Sequence, residues 1–375
     1  MATIEIIEAG SRALLREFIK YPNRLYRDDP NYVTPLLSER LEFFNTQKNP
    51  FYRGAKVKLF LAQRDGETVG RIATCVNYKH NEFHHEKTGF FGFFDTPDDW
   101  EIAQKLLKVA MITLKKESME QMRGPTNFST NHECGFLVEG NGQPPVVMMT
   151  YNYPYQVQLS ERFGLKKVMD LIGFRITEED GISKRIERVV GRMKKRSNIT
   201  IRCLDLSDFD NEVKLIRQIY NSAWAANWGF VPMDDAEFDY MAKDLRQIVD
   251  PRVVFIAEHE EKPVAFSMAL PDINEALIHL KGRLLPFGIL KLLWHTKIRN
   301  KIRRVRMVTF GVIPEYRMKA IDSMMYIETH NRGIECGYKE AELSWILETN
   351  TLMCRAAEEM GARAYKRYRI MEMPL

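Results

Sequence analysis

Residues Arg306–Ile321 read RMVTFGVIPEYRMKAI, and this stretch decides the fold. Its first half is rich in β-branched and aromatic side chains and fits a pleated, half-buried strand. The run gives way to Val312-Ile313-Pro314, then to Tyr316-Arg317 and, three residues on, Ala320. From Ile321 to Gly333 apolar residues return at helical spacing, with Met324, Met325 and Ile327 on one side. The stretch therefore joins a strand to the start of a helix. The first N–H groups of a helix have no internal partner, and its dipole is positive at that end. With Arg317 adding a fixed charge, such a junction suits a phosphate group.

Working outward, Glu342–Leu347 (ELSWIL) reads as a strand, Asn350 opens a helix that stops at Gly361, and Arg363–Glu372 reads as a last strand. Upstream, Val253–Ala257, the turn His259–Lys262 and Pro263–Leu270 form a hairpin pattern. The first half of the chain has the same layout in Val57–Ala62, Arg64–Glu67 and Thr68–Val76. Leu59 aligns with Phe255 and Gly164 with Gly361, at offsets of 196 and 197, which argues for an internal duplication. Gly92 and Gly311 stand 219 apart, so the second copy carries about 22 extra residues before that strand. A helix is predicted from Asp98-Asp99 to Met122. The division that follows is 1–180, a charged helix or linker over 181–198, and 199–375. The fold class is α/β (α+β), each half a mixed central sheet flanked by helices.

The ordered series from Val312 to Glu372 resembles the GNAT superfamily of acyl-CoA-dependent N-acyltransferases, in which a strand ends in V-x-P and a loop of the form R/Q-x-x-G-x-G/A opens the next helix. The resemblance implies acyl-CoA as co-substrate, contacted by Gly311, Val312, Arg317, Met318, Lys319, Ala320, Ile321, Asp322 and Asn350. Two loop glycines of the family are Ala320 and Asp322 here; Asp322 either sets a negative charge near the phosphate or caps the helix. The counterpart in the first half, Phe94–Asp99, has no glycine, no cation and three carboxylates, so the first half is expected to have lost the cofactor site. Tandems with one active and one degenerate copy are similar to N-myristoyltransferases and peptidoglycan-bridge transferases. The family uses a carboxylate base, for which Glu342 and Glu348 are the candidates. Its usual tyrosine acid falls at Ala357, leaving Tyr365 and Tyr368 as substitutes. Acyl transfer needs a deprotonated amine, a polarised thioester and alignment, and no metal is expected.

Asn127, Asn131 and His132, in a long insert, are candidate substrate contacts. Trp224 and Trp228, with Phe230, read either as pocket wall or as aromatic core. His80, His84, His85 and Glu86 have a spacing that a solvated loop explains as well as a metal site. From Ala276 to Pro314 there is no Asp or Glu, but there are nine Lys and Arg, interleaved with the apolar Leu284–Trp294. Segment 276–306 thus fits either an anionic membrane interface or a buried helix pair with a basic face. The expected acceptor is an amine, either a small molecule or a lipid; the insert shifts the expectation toward a long-chain lipid amine, and tandem proteins of this kind resemble bacterial ceramide synthases. A non-catalytic acyl-CoA or lipid-binding protein at the membrane surface is the alternative.

The rest sets bounds. A net charge of +5 over 375 residues and the lack of a recognised module argue against nucleic acid. Five cysteines, an odd number with no C-x-x-C, fit reduced thiols. The stretch MATIEIIEAGSRALL lacks the basic-then-apolar pattern expected of a secretory leader, and no run of 18 apolar residues occurs. The expected location is cytoplasmic, either free or peripheral at the inner membrane face; oligomeric state stays open.

Overall fold

In the computed structural model, which describes residues 3–280, 282, 302–317 and 319–375, both halves of the chain run through one order of elements. The first comprises β1 (Ile4–Glu8), α1 (Arg12–Leu25), α2 (Leu37–Phe43), β2 (Ala55–Arg64), β3 (Glu67–Asn77), α3 (Tyr78–His84), β4 (Thr88–Asp95), α4 (Trp100–Lys116), β5 (Gln121–Gly124), β6 (Phe136–Glu139), α5 (Pro154–Phe163) and β7 (Lys166–Thr177). The second comprises α6 (Lys184–Arg196), β8 (Ile199–Cys203), α7 (Phe209–Trp224), α8 (Asp235–Leu245), β9 (Val254–His259), β10 (Lys262–Pro271), α9 (Asn274–Leu277), β11 (Arg304–Val312), α10 (Ile321–Glu335), β12 (Glu340–Leu347), α11 (Thr351–Glu359) and β13 (Arg363–Pro374). With α3, β6, α6 and α9 set aside, each half is a strand, two helices, three strands, a helix, a strand, a helix and a strand. The repeated hairpins are β2–β3 and β9–β10.

The elements follow from their sequences. β4 (TGFFGFFD) is buried along its whole length, as a strand covered on both faces should be. α4 buries Ile102, Leu106, Leu107, Ala110 and Leu114 on one stripe, and the Asp99 side chain caps it by accepting from the amides of Glu101 and Ile102. It stops at Lys116, earlier than the helical pattern suggests, because Gln121–Gly124 must extend to pair in parallel with β4.

The chain forms two compact units. The first holds Met1–Leu171 and Lys366–Leu375, with the chain from Leu277 where it is described; the second holds Ile172–Ala276 and the residues from 302 to Tyr365. In the first, the strands lie in the order β1-β2-β3-β4-β5 and then β13, with Met371 opposite Gly124 and Glu372 opposite Arg123. In the second, the order is β8-β9-β10-β11-β12 and then β7. Each half therefore gives its last strand to the other half's sheet. The chain changes unit inside β7 and β13, not at 180 or within 181–198, and the residues after Tyr365 do not belong with 199–365. The charged segment forms α6, a helix of the second unit. Its Val190 is buried and Lys194 pairs with Glu328 of α10 at 3.0 Å.

Candidate active site

β11 and β12 run parallel, with Arg304 opposite Glu340, Val305 opposite Ala341, Arg306 opposite Glu342 and Met307 opposite Leu343. There the pairing stops, while β11 continues to Val312 and β12 to Leu347. The strands part, and a cavity of about 330 Å³ opens between their ends. On the other side of β11, Met268 faces Thr309 and Ala269 faces Met307, so Val308 is skipped by both ladders. Val308 is among the residues of the cavity wall. Thr309 lines the same wall, with its hydroxyl oxygen buried and no hydrogen-bond partner among the described residues. Gly311 is dictated by packing: a Cβ there would stand 3.0 Å from both Ala223 and the Phe266 ring.

The start of α10 forms one end of the cavity. Ala320, the residue before the helix, has φ 56° and offers no side-chain cap, while Asp322 accepts from the amide of Ser323 at 2.8 Å. Asp322 and Tyr326, four residues apart on one helix face, both line the cavity. Arg317 also lines it, but one arm of its guanidinium donates to the carbonyl of Ala223 at 2.7 Å, which ties the loop to the end of α7. Lys319 lies over the Tyr316 ring at 4.2 Å. Asn350 caps α11 by accepting from Met353 and also faces the cavity. Of the expected cofactor contacts, Gly311, Val312, Arg317, Ile321, Asp322 and Asn350 come together here. Lys319 and Ala320 flank them in sequence, and Met318 lies outside the described residues. Trp224 joins the wall and donates its indole N–H to Phe310; Trp228 does not line it.

The acid–base candidates separate. Glu342 is fully buried on β12; its Oε2 takes a hydrogen bond from the Tyr365 hydroxyl, and its Oε1 has no hydrogen-bond partner among the described residues. Beside it Arg306, also buried, donates to both the hydroxyl and the carbonyl of Ser344. Glu348 lies in the turn after β12, and none of Glu342, Tyr365 and Glu348 lines the cavity. Tyr368 belongs to the first unit, buried on β13 opposite Leu137, so it is a core residue there. Ala357, where the family's tyrosine was expected, is buried among Phe174, Ile176 and Ile346.

The corresponding place in the first unit is filled by its own chain. β4 and β5 pair only from Thr88 to Phe90, but the next carbonyl, Phe91, accepts from the amide of Thr126 at 2.7 Å. Asn127 closes the gap further: its Oδ1 accepts from the amide of Phe93 and its amide donates to Glu133. His132 lies edge-on to Phe43 and Phe51, with Nδ1 beside the Ser129 hydroxyl at 2.9 Å, and the amide of Asn131 donates to that same hydroxyl. These three expected substrate contacts brace a buried aromatic cluster. Asp95 and Asp99 are likewise used internally, by Arg71 and Tyr26 and by the α4 cap. His80 sits beside Glu86 at 3.3 Å and against the His84 ring, and no cluster of three metal-ligating side chains occurs among the described residues.

Met307, Thr309, Tyr326 and Leu343 were not singled out from the sequence. Tyr326 had a signal, the four-residue spacing from Asp322; the other three become wall only because the strands part, which no local pattern announces.

No protein-family model matches the chain. The chain is 36% identical over 96% of its length to the protein YghO of Escherichia coli, of which it covers 92%. It is 35% identical over its whole length to a protein of Caulobacter vibrioides named bacterial ceramide synthase, of which it covers 98%. Among solved structures it shares its fold with a tandem GNAT protein from the clavulanic acid biosynthesis pathway, at a TM-score of 0.58 and 9% identity, covering 99% of this chain and 98% of the other. It also shares its fold with a GCN5-related N-acetyltransferase from Sphaerobacter thermophilus, at 0.55 and 12%, covering 99% and 95%. The chain belongs to one family with Escherichia coli YghO and the Caulobacter vibrioides bacterial ceramide synthase, and it has the tandem GNAT fold.

Proposed function

We propose that the protein transfers an acyl group from a coenzyme A thioester to the amine of a long-chain lipid. The observation that carries this reading is the parting of β11 and β12 beyond Met307 and Leu343, beside the amino-terminal end of α10. An amide-rich pantetheine arm pairs with strand edges of this kind, and a helix N-terminus suits its pyrophosphate. The amine nitrogen bonds to the thioester carbon, the carbon–sulfur bond breaks, and coenzyme A leaves as the thiol. The Val308 N–H, outside both ladders, is the donor we assign to the carbonyl oxygen as charge develops on it. Glu342 is assigned the amine proton, and Tyr365, bonded to Glu342, is assigned the return of a proton to the departing sulfur.

The name of the Caulobacter relative supports a long-chain amino alcohol as acceptor. The acid-free basic segment 276–306, most of which lies outside the described residues, is the part we assign to anionic lipid. The described residues include no helix long and apolar enough to cross a membrane. A second reading, binding without turnover, draws on Ala357 in place of the family's tyrosine. The deciding experiment measures free thiol released from an acyl-CoA in the presence of a long-chain amino alcohol, alongside thermal stability with acyl-CoA alone. Stabilisation with thiol release supports transfer, and stabilisation without release supports binding only. No stabilisation with any acyl-CoA overturns both.

A further inference from the structure

A second cavity lies in the second unit, bounded by α10, α11 and the first halves of β11 and β12. Its walls include Ile176, Val305, Ala341, Ala357, Met360 and Gly333, and are almost wholly apolar. Met307, Tyr326 and Leu343 line both this cavity and the crevice described above. The two spaces therefore share those three residues as a common wall. The hydroxyl of Thr329, on the same wall, is turned back onto the carbonyl of Met325. At the far end Lys339 pairs with Glu178 at 2.5 Å, so the apolar lining ends at an ion pair.

Gly333 is the telling residue. It is buried in the last turn of α10, and a Cβ built on it would meet no heavy atom within 4 Å. Glycine is a weak helix former, and alanine would both fit here and favour the helix. The wall is bare where neither packing nor helix formation asks for it. Along α10 the wall runs from Tyr326 to Ile334, about 12 Å at 1.5 Å per residue. An extended hydrocarbon of roughly ten carbons covers that length, given C–C bonds of about 1.5 Å in a zigzag.

We propose that this cavity receives the hydrocarbon chain of the acyl donor, admitted past Met307, Tyr326 and Leu343, and that its depth sets the preferred chain length. The proposal rests on the crevice being the acyl-CoA site, and the test separates the two. Acetyl-CoA and decanoyl-CoA are titrated calorimetrically into the native protein, Gly333→Ala and Gly333→Leu. The native protein should bind decanoyl-CoA at least about tenfold more tightly than acetyl-CoA, since burying methylenes is favourable. Gly333→Ala should melt higher than the native protein. Gly333→Leu should lose about tenfold or more in decanoyl-CoA affinity while acetyl-CoA affinity stays within about twofold. If Gly333→Leu fails to fold, Ala341→Leu on the facing strand must show the same selective loss. Decanoyl-CoA bound equally by native and blocked proteins, with acetyl-CoA bound by both, overturns the chain cavity and leaves the crevice standing. Failure of the native protein to bind either thioester overturns both.

Discussion

Trp224 donates its indole N–H to the carbonyl of Phe310 across 3.0 Å, and so fixes the end of α7 against the stretch of β11 that has parted from β12. The same ring stacks on Tyr220 and meets Trp345 edge-on at 6.3 Å. Trp224→Phe should keep much of the ring packing and lose the donor. A loss of about 1 kcal/mol in unfolding free energy is expected for one such bond, with weaker acyl-CoA binding. Denaturant unfolding and calorimetry check it; a variant indistinguishable from native in both would show that the bond does not shape the crevice.

Ala320 holds φ 56° where the family's loop has glycine. A left-handed backbone costs an L-residue roughly 1–2 kcal/mol, partly offset by the greater freedom glycine loses on folding. Ala320→Gly should therefore be neutral to stabilising by up to about 1 kcal/mol, and Ala320→Val destabilising. Thermal melts of the pair are the measurement, and the reverse order would contradict the assignment of strain to this position.

Asp322 sits in the first turn of α10, on the cavity wall, where a diphosphate would meet its charge. Removing that charge should strengthen coenzyme A binding severalfold, most strongly at low salt, where screening is least. Titrating CoA into Asp322→Asn at two ionic strengths tests this. Weaker binding by the variant would mean that the carboxylate organises the loop through the Ser323 amide more than it repels the ligand.

Burial lowers the pKa of His132 to about 4 in the folded protein, against about 6.5 when exposed. Because the folded pKa is depressed, the unfolded chain takes up the proton first. Stability is highest above about pH 6.5 and falls as pH drops from there toward about 4. The full loss from this group is on the order of 3 kcal/mol, at about 1.4 kcal/mol per pH unit. His132→Asn should start lower, through lost packing against Phe43 and Phe51, but decline less steeply across that window. Unfolding curves at several pH values decide it; parallel declines would show that His132 contributes nothing to acid sensitivity.

Glu342→Gln keeps the shape of the side chain and removes its capacity to take a proton. Thiol release should fall by roughly 10²-fold or more, the usual worth of a positioned base, while acyl-CoA affinity changes little. Turnover close to native would move the base elsewhere.

Much of this arrangement could be read from the residues, and the parts that could not share a cause. The strand–loop–helix junction at Arg306–Ile321, the paired hairpins and the cap at Asn350 are local patterns, set by periodicity, proline and short polar side chains. Which strand lies beside which is not local. Nothing in Lys366–Pro374 says that it will pair with Gln121–Gly124 and not in its own half's sheet, so Tyr368 was placed beside Tyr365 in sequence and falls in the other unit in space. Asn127 and His132 looked like loop residues free to meet a ligand. They are consumed by the backbone of Phe93 and the rings of Phe43 and Phe51, a fate set by tertiary packing.

The central claim is that the parted ends of β11 and β12 grip an acyl-CoA, and backbone hydrogen exchange with and without decanoyl-CoA tests it most directly. Slowed exchange is expected at residues 307–312, at 343–347 and in the first turn of α10 after Ala320. Binding that leaves those amides unchanged, or that protects 91–95 in the first unit instead, would contradict it.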